Sequence, residues 1–355
     1  MPLFKNKVVL ITGGTGSLGK VLTRRLLADQ ADCPKKIVIF SRDEAKQHFM
    51  RIEYQQKCLA TDDIIYQDFL YKHLDFRIGD IRDYHSVCGA LEGVDIVINA
   101  AALKQVPSCE YFPYEAVQTN IMGPENIVRA IRENDLPVQT VVGVSTDKAC
   151  KPVNVMGMTK ALQERIFINA NISIPHTRFI CVRYGNVLAS RGSVIPLFHE
   201  QIRQGGPVTI TTGEMTRFLL PLDKAVDTVI EAIRLAKPGE IYVPIVPAAR
   251  IIDVARVLIE ERPVEIVITG IRPGEKIHES LISPEEAWHS YQRGDYYAIK
   301  PMLPEILEEE PDLNALNQEY SSGDKVLSFE ATKELICCHR LLIGEVLQGE
   351  GEFLA

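Results

Sequence analysis

The chain has 355 residues, of which 46% are hydrophobic and 24% charged, and a formal net charge of -8. This length allows two domains, or one domain with a large lobe, and is ample for a core. The acidic balance argues against general nucleic-acid binding, and no apolar run approaches the roughly 18 residues that a membrane span needs.

Eight cysteines are scattered without CxxC spacing, which suits reduced thiols in the cytoplasm rather than a disulfide framework. The vicinal Cys337-Cys338 reads either as a redox pair or as a semi-buried helix position.

Lys7 to Thr12 is a β-branched run that leads straight into Gly13-Gly-Thr-Gly-Ser-Leu-Gly19, so it reads as a strand and not as a signal peptide. Val21, Leu22, Leu26 and Leu27 then share one face of a helix. Strand, glycine turn and helix start together form a phosphate cradle. Gly13 permits the turn, Gly16 lets the backbone approach a pyrophosphate, and Gly19 lets the helix pack on the sheet. Thr15, Ser17 and Leu18 complete this cofactor-binding turn.

Lys36 to Phe40 is the second strand, ending in Ser41-Arg42-Asp43, with Lys46 one helical turn on. An NAD site commonly carries an acidic residue there. Ser41, Arg42 and Lys46 instead offer a hydroxyl and two cations that suit a 2′-phosphate, so NADP is expected over NAD. The plainer reading is that both cations are solvated charges at a helix start.

Asp75 to Gly79 reads as the third strand, with Asp80-Ile81 placed at the adenine edge. Asp95 to Ala102 is the fourth, running into Ala100 and Ala101, where a backbone passes close to a cofactor. Lys104 follows as a site lysine or a surface one. Tyr114 to Arg132 reads as one amphipathic helix holding Asn120, a satisfied buried amide or part of a proton network.

Val138 to Val144 is a buried fifth strand that delivers Ser145-Thr-Asp-Lys148, and Lys160 opens a helically spaced segment, Ala161 to Asn169. Asp147 and Lys148 form either the ionisable pair for acid–base work or a structural ion pair. Alternating strands and helices to about residue 185 indicate an α/β fold with a doubly wound parallel sheet.

Beyond Phe179 to Arg183 the alternation becomes irregular. Tyr184 to Ser193, which includes Asn186, is a small and polar ligand loop. Arg191, Arg217 and Arg272 stand in punctuated loops. Guanidinium forks match phosphate oxygens, so a second diphosphate is plausible there, although each alone also reads as a surface charge. Glu305 to Asp312 is an acidic, solvated run. The expected division is a cofactor unit over 1–185, rejoined by about 218–240, a smaller substrate lobe over 186–330, and a C-terminal helix and tail over 331–355.

Together these residues resemble the extended short-chain dehydrogenase/reductases of the nucleotide-sugar 4,6-dehydratase group, which act on UDP-N-acetylglucosamine in bacterial glycan biosynthesis. The matching motifs begin with Thr12 to Gly19, Phe40-Ser-Arg-Asp-Glu44, Ser145 to Lys148, and Asn154-Val-Met-Gly157 with Lys160. They continue through Arg183-Tyr-Gly-Asn-Val187, Ser190 to Pro196, Met215-Thr-Arg-Phe218, Arg272-Pro-Gly-Glu-Lys276, Tyr296-Tyr297 and Tyr320-Ser-Ser-Gly323. In such enzymes a catalytic Tyr normally stands four positions before the lysine that Lys160 matches. Here that position is Met156, so the chain looks like the Met branch of the group without its membrane segment. Gly213-Glu214 and Pro124 depart from the group's pattern.

The resemblance implies a Rossmann fold with a smaller C-terminal substrate lobe, bound NADP, a nucleotide-sugar substrate and a homo-oligomer, dimer or hexamer. It implies C4 oxidation, removal of the C5 proton by Lys148, protonation of the departing 6-hydroxyl by Asp147, and hydride return to C6. Thr146 would orient the 4-hydroxyl and Lys160 would bond the nicotinamide ribose. A thioether cannot exchange a proton, so the O4 proton would leave through Thr146, Asp147, Lys160 or water. Lys104, Asn186 and Ser193 fall to the sugar nucleotide, and Arg191, Arg217, Arg272 and Glu275 to its diphosphate and ribose. Tyr184, Asn186 and Asn120 also border the cofactor. The alternatives are a sugar-nucleotide epimerase, a C5-epimerising or 5,6-dehydratase, and a non-catalytic NADP-sensing protein.

Overall fold

A computed structural model describes residues 2–59, 72–188, 193–307 and 315–345. Six strands form its parallel sheet: Val8–Thr12 (β1), Lys36–Ser41 (β2), Leu74–Ile78 (β3), Ile96–Asn99 (β4), Thr140–Thr146 (β5) and Arg178–Tyr184 (β6), aliphatic at its centre and more polar at the edge strand β3. They pair in parallel in the order β3-β2-β1-β4-β5-β6. β5 and β6 stay paired as far as Thr146 and Tyr184, so the fifth strand runs two residues past Val144, and Tyr184 is a strand residue and not the first residue of the expected loop.

Alternate side chains enter opposite layers. Val9 and Ile11 pack with Leu22 and Leu26 of the helix Ser17–Ala28 and with Val226 and Val229 of the helix Leu222–Leu235. Leu10 faces the other way, toward Ile127 and Ile131 of Gly123–Glu133 and Phe167 of Val155–Ser173. Helices on both faces are what a parallel sheet requires, and each buried aliphatic side chain stabilises by about 1.5–3 kcal/mol. The connection order reverses between β1 and β4, which opens a crevice at the C-terminal strand ends.

The shorter strands are Asn186–Val187 (β7), Val208–Ile210 (β8), Thr216–Leu220 (β9), Ile241–Pro244 (β10) and Ala248–Arg250 (β11). Ile266–Ile268 (β12), Ser280–Ile282 (β13), Ser290–Arg293 (β14), Tyr296–Ile299 (β15) and Tyr320–Ser321 (β16) follow. β10 joins the main sheet parallel to β6, and β15 and β14 extend it antiparallel to nine strands. More of the C-terminal half therefore returns to the sheet than the expected 218–240. A separate apolar cluster, with Phe198, Ile210, Val254 and Ile336, supports the loops across the crevice.

The helix expected over Tyr114 to Arg132 is interrupted. Pro113–Val117 passes into a π turn at Gln118–Met122 before Gly123–Glu133 resumes. Pro124 has no N–H for the α ladder, and the turn widens just before it. No helix among the described residues is long and apolar enough to cross a membrane. Cys33, Cys88, Cys109, Cys150, Cys181, Cys337 and Cys338 are free, with Cys337 half-buried and Cys338 exposed.

Candidate active site

The strand ends open onto one cleft of about 2090 Å³, larger than the roughly 300–1,000 Å³ of a single small-molecule site, so two ligands fit end to end. At one end lies the glycine turn. Gly13 has φ +63°, and a Cβ there would lie 2.9 Å from the Ala101 backbone. Gly19 packs so closely on Gly14 that a Cβ would fall 2.4 Å from its carbonyl oxygen. The helix Ser17–Ala28 begins behind Gly16 with no side-chain cap, so its first N–H groups and positive dipole end face the cleft. Thr15, Ser17, Leu18 and Ala100 line the same end. A cradle closed to side chains and lined with backbone donors fits the pyrophosphate of a dinucleotide.

The end of β2 is more committed than its sequence suggests. The Ser41 hydroxyl accepts from Thr15 Oγ1 at 3.3 Å and from Gln47 Nε2 at 3.1 Å. Lys46 pairs with Asp43 at 2.7 Å, and Arg42, 60% exposed, stands 4.0 Å from Asp80. Burial works against the Asp80 carboxylate, but the bonds from Arg82 outweigh it and hold its pKa below the ordinary range. Ile81 is buried against Gly123.

Asn120 does not line the cleft. Its amide donates to Leu103 O and Thr159 Oγ1, both at 3.0 Å, and accepts from the Leu103 N–H at 2.8 Å. It is the satisfied buried amide of the two readings, and it holds the loop before the exposed, cleft-lining Lys104. Its neighbour Thr119 lines the cleft instead, with a buried hydroxyl that has no partner among the described residues. The π turn sets which of the two points inward, and nothing in the sequence marks it.

β5 carries the reactive groups. It ends at Thr146, whose hydroxyl donates to Asp147 Oδ1 at 2.9 Å, and Lys148 Nζ donates to the same oxygen at 3.0 Å. Asp147 is 1% exposed, and its second oxygen, Oδ2, accepts nothing among the described residues. Lys148 keeps 22% of its side chain open and has a second carboxylate, Glu279 Oε1, at 3.5 Å. Burial disfavours the ammonium, but Asp147 and Glu279 together outweigh it and raise the Lys148 pKa above the ordinary lysine value. Lys148 is therefore charged at neutral pH. Glu279 was not anticipated. Its one sequence signal is an acidic residue opening the buried run Ser280–Ile282.

Asn154 caps the helix Val155–Ser173 by accepting from the Gly157 N–H at 2.8 Å. This fixes Met156 in the first turn, where it packs with Cys109 and Ala116 and lines the cleft. Gly157 presses on the preceding turn, and a Cβ there would lie 2.2 Å from the Lys148 carbonyl oxygen. Lys160, 4% exposed, donates to Val144 O and Gln163 Oε1, both at 2.6 Å. Burial lowers its pKa to about 8. Tyr184 also lines the cleft, but burial pushes its phenol up, so it exchanges no proton near neutrality.

The far end is built from loops. Arg217 is braced by donating to Thr216 O at 2.7 Å, Ile277 O at 3.1 Å and Lys276 O at 3.0 Å. Arg272 is exposed and stands 4.0 Å from Glu275, whose Oε2 accepts from Thr211 at 3.1 Å. Asn154 Nδ2 donates to Gly274 O at 2.9 Å, which ties this loop to the cap of the helix bearing Met156 and Lys160. Asn186 Oδ1 and Ser193 Oγ border the same space, buried and without partners among the described residues. Arg191 lies outside the described residues. Beneath the cleft, the fully buried Arg183 bridges Glu164 and Glu286, both at 2.7 Å, and Ser145 donates to Glu164 at 2.5 Å.

Residues 9–301 match the family described as polysaccharide biosynthesis protein. The chain belongs to that family. A UDP-glucose 4-epimerase of Rickettsia massiliae is 43% identical over 346 residues, spanning 94% of this chain and 96% of its own. The X-ray structure of Pen from Bacillus thuringiensis aligns with a TM-score of 0.85 at 36% identity, over 96% of this chain and 99% of Pen. The dTDP-glucose 4,6-dehydratase DesIV of Streptomyces venezuelae, solved with NAD and TYD bound, shares the fold. It is 20% identical with a TM-score of 0.64, over 76% of this chain and 86% of that one. This member of the polysaccharide biosynthesis family thus has the Rossmann-like α/β architecture expected of it.

Proposed function

We propose that the protein dehydrates UDP-N-acetylglucosamine to a UDP-4-keto-6-deoxy-N-acetylhexosamine, with NADP held at the glycine cradle. One observation carries this reading: a carboxyl and an amine on adjacent residues, Asp147 and Lys148, share a 3.0 Å hydrogen bond in a cleft where Met156 precedes Lys160. Oxidation and reduction at C4 alone need one proton exchanger at O4. Elimination of water across C5 and C6 needs an acid and a base as well, and this pair supplies both.

A bound nicotinamide supplies reversible hydride uptake, from C4 and back to C6, without net oxidation. The C4 ketone acidifies the C5 hydrogen. Lys148, as the neutral amine, takes that proton, and Asp147, as the neutral acid, protonates the leaving 6-hydroxyl. Lys148, now an ammonium in exchange with solvent, returns a proton to C5 as C6 is reduced. The resting ion pair and the working neutral pair differ only by one proton moved along their shared hydrogen bond. Exclusion of water by a bound sugar nucleotide penalises the ion pair more than the neutral pair, and so arms both groups at once. Thr146 orients the 4-hydroxyl. Lys160, with its pKa of about 8, is the group assigned to the O4 proton in place of Met156.

Arg42 supports NADP: it is an exposed guanidinium at the end of β2, where position 41 is Ser and not an acid. Arg217, Arg272 and Glu275 are assigned to the diphosphate and ribose of the substrate, and Asn186 and Ser193 to its sugar.

The name of the Rickettsia relative favours a second reading, C4 epimerisation of a UDP-sugar. An epimerase returns the hydride to the opposite face and gives the Asp147–Lys148 pair no task. Mass spectrometry and NMR of UDP-N-acetylglucosamine incubated with the protein and catalytic NADP⁺ in deuterated water separate the two. Loss of one water with deuterium gained at C5 is expected. An unchanged mass with inverted C4 establishes epimerisation, and untouched substrate with cofactor bound sinks this sugar as the substrate.

A further inference from the structure

Glu279 is delivered to Lys148 from the opposite side of the cleft, and it is held there by its own backbone. Its N–H donates to Ser322 Oγ at 3.0 Å, and its carbonyl accepts from the Ser322 N–H at 2.8 Å. The preceding His278 shares a 2.8 Å hydrogen bond with Thr216. The side chain is 3% exposed, with Oε1 at 3.5 Å from Lys148 and Oε2 at 3.6 Å from Lys276. Oε2 has no hydrogen-bond partner among the described residues. A buried carboxylate fixed so firmly between two amines, Lys148 on one oxygen and Lys276 on the other, is a charge with a job.

We propose that Glu279 is a positioning residue for the reaction: its carboxylate sets how tightly the Asp147–Lys148 pair holds the single proton it shares. The inference rests on the reading of that pair as acid and base. The charged groups facing Lys148 are Asp147 on its own turn, Glu279 and Lys276 from the segment before β13, and Arg217 from β9. Asp147 is the partner in the shared proton, and Lys276 and Arg217 favour its loss. Among the described residues Glu279 is the one acidic group outside the pair that faces Lys148, and it opposes that loss. The pair works with one proton, is inactive with two and inactive with none, so the activity profile against pH is a bell. The Glu279 charge strengthens the pair's hold on its proton and moves the whole bell upward in pH.

The test titrates Lys148 directly, in holoenzyme carrying ¹³C at the lysine ε-carbons, with Lys148→Arg to assign its signal. In Glu279→Gln the midpoint of Lys148 falls by about one pH unit or more, a tenfold change in proton affinity, and both limbs of the kcat/KM profile move down with it. Glu279→Asp keeps the charge but withdraws it by one methylene, and gives a smaller shift in the same direction. It serves also if Glu279→Gln fails to fold. A Lys148 midpoint that neither variant moves overturns the inference, because a merely structural Glu279 would lower stability or activity without moving a titration. The midpoint is read without any sugar nucleotide. Absence of turnover therefore counts against the dehydratase reading, and an unmoved midpoint counts against Glu279.

Discussion

Gly157 lies directly against Lys148: a single added carbon at Gly157 would sit 2.2 Å from the Lys148 carbonyl oxygen. The start of one helix thus sets the position of the residue assigned as base. Gly157→Ala must push that turn aside, and displacements of about 1 Å at a reacting group cost on the order of 10²-fold in rate. The expected result is a kcat reduced to that extent with cofactor affinity unchanged, measured by steady-state turnover and by titration with NADP.

Lys148→Met and Asp147→Asn should each lower dehydration by about 10²–10⁴-fold while the cofactor still binds. Single-turnover assays would separate them. Lys148→Met loses deuterium exchange at C5, whereas Asp147→Asn keeps exchange and loses the elimination of water. Normal turnover in Lys148→Met would remove it as the base.

Arg42→Ala tests the cofactor. A charge-assisted contact to a phosphate contributes about 1.5–3 kcal/mol, so the preference for NADP over NAD should fall roughly tenfold or more. Fluorescence titration with both dinucleotides reads it. Equal loss of affinity for both would mean that Arg42 does not meet the 2′-phosphate.

Lys160 makes stability depend on pH. Burial lowers its pKa in the folded protein to about 8, from the ordinary 10.5 of the unfolded chain. Between those values the unfolded chain binds more protons, so stability rises with pH. The cost of the buried charge is complete below about pH 8 and relieved toward 10.5, and amounts to roughly 3 kcal/mol. Buried thiols and phenols such as Cys181 and Tyr184, whose pKa values burial raises, pull stability the opposite way over the same range, so the Lys160 effect is read as a difference. Urea unfolding at several pH values should show native stability gaining on that of Lys160→Met between about pH 8 and 10.5.

Arg183→Leu leaves the Glu164 and Glu286 carboxylates buried without their cation. Removing one member of such a group costs about 3–5 kcal/mol, measurable as a lower urea midpoint. Substituting all three members by apolar residues should recover much of that loss.

What was legible in the sequence was local. The glycine cradle, and the Thr146-Asp147-Lys148 run at a strand end, are contiguous stretches whose spacing fixes their geometry. Glu279 and Thr119 come to the cleft through tertiary placement: one on a loop from the far half of the chain, the other by the rotation of a π turn. That same turn moved Asn120 out of the cleft. The three later sheet strands were missed because each is only four residues long, and none is followed by the helical spacing that revealed the earlier ones.

The family match ends at residue 301, yet the two backbone bonds that fix Glu279 come from Ser322. Tyr320 likewise clasps Val246, donating to its carbonyl at 2.8 Å and accepting from its N–H at 2.9 Å. An expression boundary drawn where the family match stops would spare every residue of the cradle and of the acid–base pair, and yet cut the clamp behind them. A protein trimmed in that way would keep its catalytic alphabet and lose its alignment.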